Sequence, residues 1–86
     1  MNSISFAKDG YHYFLVPRED GYYWLMTDDA DFALQYLRAV EENGVITAVT
    51  KGDNKLLTLG QSFENKIVKE IVRIESVNSA FKVKLE

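Results

Sequence analysis

The chain has 86 residues, 10 Lys and Arg against 13 Asp and Glu, a net charge of −3 and no cysteine. That length supports one domain around one core, and without cysteine neither a disulfide nor a thiolate metal site can supplement it. The negative balance, with its cations scattered, works against a duplex nucleic-acid surface, which needs clustered Lys and Arg to displace counterions from phosphates.

The opening segment MNSISFAKDG lacks the basic and apolar regions of a signal peptide. No apolar run approaches the roughly 20 residues that cross a bilayer as a helix. These features, with the absence of cysteine, predict a cytoplasmic protein that neither spans nor coats a membrane.

In chain order, SISFA leads through Lys8-Asp9-Gly10 into YHYFLV, a hairpin signal because glycine accepts the positive φ of tight turns. PREDG, with the only proline, Pro17, connects YHYFLV to YYWLMT, whose aromatic composition suits a pleated strand. Pairing Val16 with Tyr22 sets Phe14 opposite Trp24 and His12 opposite Met26.

Three aspartates, Asp28, Asp29 and Asp31, follow within four positions. Asp28 suits a helix N-cap, and Asp29 and Asp31 suit a first turn facing the positive end of the helix dipole. Ala33, Leu37 and Val40 recur at helical spacing, and Gly44 can supply a left-handed stop, so a helix is expected over about Asp29–Asn43. As a calcium loop the stretch fails, because it has neither the glycine nor the closing carboxylate that such a loop needs. No metal site is expected.

VITAVT and KLLTL flank Lys51-Gly52-Asp53-Asn54, a turn by composition and not a phosphate loop, since it lacks the glycine spacing and the terminal Lys-Ser or Lys-Thr. FENKIVKEIVRIE fits a helix by its stripe of Phe63, Ile67, Ile71 and Ile74. Its β-branched density favours a strand over about Glu70 to Val77, turning at Asn78-Ser79 so that Ile74 meets Val83 and Val72 meets Leu85. A helical turn near Phe63 to Lys66 fits before it.

The expected fold class is therefore α+β over residues 1–86: a mostly antiparallel sheet of six to seven strands, flat or curled, with one helix between the third and fourth strands. The hairpin of YHYFLV and YYWLMT is apolar on both faces, and one helix can cover only one of them. The other face is either enclosed by a curled sheet or left as an interface, and Tyr and Trp are enriched at binding hot spots.

Functional expectations follow mostly by exclusion. One histidine, His12, set in an aromatic strand, and no cysteine leave little for nucleophilic catalysis. No enzymatic activity and no cofactor are expected. Near the first hairpin the sequence places only Lys8 and Arg18 as cations, too few for base stacking in a cationic groove, so no direct nucleic-acid contact is expected. The favoured function is a nonenzymatic protein-binding module, an inhibitor, adaptor or regulatory subunit that occludes a partner's surface, even a nucleic-acid-binding one, or pairs with a second copy of itself. Phe14, Tyr22 and Trp24 are its candidate anchors, and Asp28, Asp29 and Asp31 form a second candidate surface. The rival is an oligomeric protein that binds a nucleotide or other small flat ligand between aromatics.

Overall fold

Paired left-handed residues set the tightest corners of this chain, and they decide its topology. A computed structural model describes residues 2–27, 37–75 and 80–86. Those residues form nine strands: β1 (Ile4–Lys8), β2 (Tyr11–Pro17), β3 (Tyr23–Thr27), β4 (Leu37–Glu42), β5 (Val45–Lys51), β6 (Asn54–Thr58), β7 (Ser62–Phe63), β8 (Lys66–Arg73) and β9 (Phe81–Leu85). No helix occurs among them. The strands make a six-stranded sheet in the order β1-β2-β3-β9-β8-β7 and a three-stranded sheet in the order β4-β5-β6.

Over the described residues the architecture is all-β, which corrects the α+β expectation and, from Leu37 onward, its helix over Asp29–Asn43. The second half of that segment is strand β4, and its supposed stop is a hairpin turn. Glu42 pairs with Val45, and Asn43 and Gly44 between them have φ of 54° and 80°. Two successive left-handed residues make the type I′ turn whose twist matches antiparallel strands, and Asn-Gly is its preferred sequence. Leu37 and Ala39 turn toward the core while Arg38 and Val40 turn outward, a period of two that the spacing of Leu37 and Val40 had masked. Residues 29–36 of the expected helix lie outside the described residues.

Asp9-Gly10 joins β1 to β2 as expected, with Lys8 opposite Tyr11, and Gly52-Asp53 joins β5 to β6, with Lys51 opposite Asn54. The expected helical turn near Phe63 to Lys66 is instead a hairpin turn: Phe63 pairs with Lys66, and Glu64 and Asn65 have φ of 47° and 70°. β8 runs from Lys66 to Arg73, earlier than expected. It sets Ile71 opposite Val83, Glu70 opposite Lys84 and Val72 opposite Lys82, where the sequence pairing had set Ile74 against Val83 and Val72 against Leu85.

Packing rolls these strands together. Tyr13, Leu15, Leu25, Phe81 and Val83 from the larger sheet share one buried cluster with Leu37, Val49 and Leu57 from the smaller sheet. The smaller sheet thus covers the inner face of the first hairpin. The larger sheet nearly closes on itself: Phe6 of β1 and Phe63 of β7, strands at opposite ends of the strand order, bring ring centroids to 5.2 Å. The chain passes from sheet to sheet at a corner, where the Leu59 N–H donates to Thr47 O of β5 and the next N–H, of Gly60, donates to Val68 O of β8, both at 2.9 Å.

Candidate protein-binding face

Alternation along β2 and β3 sends Tyr13, Leu15, Leu25 and Thr27 into the interior and leaves Phe14, Val16, Trp24 and Met26 on the outward face, all partly exposed. Phe14 lies opposite Met26 and Val16 opposite Trp24, two residues displaced from the sequence pairing. An even displacement preserves which residues share a face. The cause is the turn: Arg18 N–H donates to Tyr22 O (3.0 Å) and Gly21 N–H to Arg18 O (3.1 Å), which extends the ladder and shortens the loop to Glu19-Asp20-Gly21. Gly21 takes φ of 84°, as the last residue of a three-residue hairpin loop requires.

Asp20 organises the face. Its Oδ1 accepts the Tyr22 backbone N–H (2.9 Å), and its Oδ2 accepts the Trp24 indole Nε1–H (3.1 Å) and Lys82 Nζ (3.0 Å). The Tyr22 N–H and then the indole N–H lead in holding its pKa down to about 2; desolvation pushes it up by less than either, and Lys82 lowers it further. Each donor favours the charged carboxylate. Tyr22 donates its hydroxyl to Glu70 Oε1 at 2.7 Å. That bond to a carboxylate leads the upward shift of its phenol pKa, followed by desolvation and by the charges of Glu70 and Asp20.

Cations cover the ring faces. The Arg18 guanidinium lies 4.6 Å from the Trp24 centroid. Lys82 Nζ lies 4.7 Å from the Tyr22 ring and 6.0 Å from that of Trp24, and Lys84 Nζ lies 5.1 Å from Tyr22. The result is a pinned row of aromatics interleaved with charges, four cations (Arg18, Arg73, Lys82, Lys84) against four carboxylates (Glu19, Asp20, Glu70, Glu75).

Of the candidate residues, Phe14, Tyr22 and Trp24 share this face. Asp28, Asp29 and Asp31 lie outside the described residues. Sequence reasoning missed Lys82 and Lys84, which β9 delivers beside Trp24 and Tyr22. Their signal was present in FKVKL, where two lysines alternate with Phe81, Val83 and Leu85. His12 also faces outward and is exposed, with Ala7 opposite. The depressions along this face, beside Pro17, Arg18 and Trp24, beside Trp24, Val72 and Lys82, and beside Ser5, His12 and Phe14, are shallow and open.

Among the described residues no cluster of three His, Asp or Glu is placed to hold a metal ion, and no helix is long and apolar enough to cross a membrane. No family model, curated protein or solved structure matches the chain.

Proposed function

We propose that this protein is a nonenzymatic binding module that docks a partner protein on the outward face of β2, β3 and β9, with Trp24 as its anchor and Phe14, Tyr22 and Met26 around it. The carrying observation is that Trp24 is partly exposed yet fixed, by Asp20 at its indole nitrogen and Arg18 over its ring. An aromatic already held in one rotamer loses little conformational entropy on binding, which is what a hot-spot residue needs.

The same geometry favours a protein over the rival flat ligand. Ring faces stacked by Arg18, Lys82 and Lys84 are not vacant for a base, which would have to displace them. The balance of four cations with four carboxylates gives no surplus to neutralise a phosphate backbone, so direct nucleic-acid binding is not part of the reading. We assign the module to the cytoplasm, with which a cysteine-free chain is compatible.

The test is capture from cell extract by immobilised wild type, Trp24→Ala and Lys55→Ala, the last altering an exposed residue on β6. A species retained by wild type and Lys55→Ala but not by a folded Trp24→Ala supports the reading. Unfolding of Trp24→Ala, equal retention by all three, or no retained species overturns it.

A further inference from the structure

Asn43 and Gly44 form the tip of the β4–β5 hairpin, and Asn43 is the only asparagine of the chain that a glycine follows. In that dipeptide the glycine nitrogen can close a five-membered ring on the side-chain carbonyl carbon before it, because no Cβ crowds the approach. The ladder bonds of a two-residue turn run between its flanking residues, here Glu42 and Val45, which leaves the Gly44 N–H outside them. Ring closure requires the backbone about Asn43 to rotate out of its left-handed state, with φ of 54°. No packed side chain opposes that rotation: residues 41–45 are all exposed, and the space that a Cβ on Gly44 would fill is empty to 4 Å.

The other turns lack one requirement or another. At Asp20-Gly21 the Gly21 N–H donates to Arg18 O at 3.1 Å, and the Asp20 oxygens accept from Tyr22, Trp24 and Lys82. Asp9-Gly10 has the same pair of positive φ values, 53° and 81°, but carries a carboxylate in place of the amide. Asn54 and Asn65 precede lysines whose Cβ atoms crowd the nitrogen, and both lysines sit in ladders, Lys55 opposite Thr50 and Lys66 opposite Phe63.

We propose that Asn43-Gly44 is a self-modification site, at which the folded protein deamidates in water without an enzyme. The Gly44 nitrogen bonds to Asn43 Cγ, the Cγ–NH2 bond breaks, and the amide leaves as ammonia with the proton from Gly44. Water then opens the cyclic imide. Opening at Cγ leaves an ordinary aspartate, and opening at the main-chain carbonyl leaves a β-linked one, whose main chain runs one methylene longer. Either product adds one negative charge to the −3 of the chain, beside Glu41 and Glu42. The longer main chain does not fit a two-residue turn, so the β-linked product loosens the hairpin that brings Leu37 and Val49 to the core. This site is separate from the aromatic face and stands without it.

The test is incubation of the protein in neutral buffer at physiological temperature, with circular dichroism confirming that it stays folded, followed by tryptic digestion and mass spectrometry. Peptide 39–51 contains Asn43 as its only side-chain amide. It is expected to gain the mass difference between an amide and a carboxyl about an order of magnitude faster than Asn54 in peptide 52–55 or Asn65 in peptide 56–66. Its product should split into two chromatographic peaks, one of them matching the peptide from Asn43→Asp. Conversion of Asn54 or Asn65 at the same rate overturns the proposal. So does a single product peak, or an Asn43 that keeps its amide in the folded protein and loses it only in urea.

Discussion

Asp20 and Trp24 face each other across the β2–β3 turn, with the indole Nε1–H of one donating to Oδ2 of the other at 3.1 Å. The bond joins a loop carboxylate to the ring that dominates the outward face, and Lys82 shares the same oxygen at 3.0 Å. One carboxylate thus ties the β2–β3 hairpin to β9 through Lys82, 62 positions later in sequence.

Acid should release that tie. The Asp20 pKa is lowered from 3.8 to about 2, so its contribution to stability is fully present above the unfolded value and is lost as pH falls through the folded one. Thermal melts of wild type should drop between about pH 4 and pH 2, and Asp20→Asn should be flatter across that window. Parallel curves would place the acid sensitivity elsewhere.

Position relative to the sheet should separate two aromatic deletions. Phe81 is fully buried, and Phe81→Ala is expected to cost about 3 to 5 kcal/mol. Trp24→Ala removes a partly exposed ring with one hydrogen bond and one stacked guanidinium, for about 1 to 2 kcal/mol. Urea titration of both variants measures the difference, and equal losses would make Trp24 a core residue.

Turn chemistry offers a stabilising change. Glu64 and Asn65 both take positive φ, and a side chain such as Glu is strained there. Replacing the pair by Glu64→Asn and Asn65→Gly should raise stability by about 1 kcal/mol, read as a higher melting temperature. Gly44→Ala, at φ of 80°, should lose about 1 to 2 kcal/mol.

Tyr13 is buried, and among the described residues its hydroxyl has no hydrogen-bond partner. An unpaired buried hydroxyl carries a desolvation cost with no return, so Tyr13→Phe should match or exceed wild type in stability at neutral pH. Burial first, then the nearby Tyr11 and Asp9, push the Tyr13 phenol pKa up. Its stabilising term is present below the unfolded value and lost as pH rises through the folded one, so the variant's advantage should widen in alkali. A loss at neutral pH would show that the hydroxyl is satisfied.

Local chemistry carried much of the fold into the sequence. Asp9-Gly10 and Gly52-Asp53 were legible because a turn is written in adjacent residues. The alternation that places Phe14 and Trp24 on one face survived a two-residue error in register for the same reason. Asn43-Gly44 was equally local, but a helical spacing of Leu37 and Val40 competed with it, and the turn chemistry won. What adjacent residues do not encode is which strand lies next to which. The pairing of β8 with β9 was misplaced by three residues, and an odd displacement exchanges the two faces of a strand. That is why Val72 was paired with Leu85 and not with Lys82, while the adjacency of β9 to β3 that sets Lys82 beside Trp24 had no local signal.

The position of β9 bears on how the chain matures. It is last in sequence among the described strands yet lies between β3 and β8 in the middle of the larger sheet. During synthesis the first hairpin leaves the ribosome with one long edge unsatisfied, and it stays so until Phe81–Leu85 emerges and slots in. Until then that edge is open to pairing with other chains, and a helper that shields β3 should improve the yield.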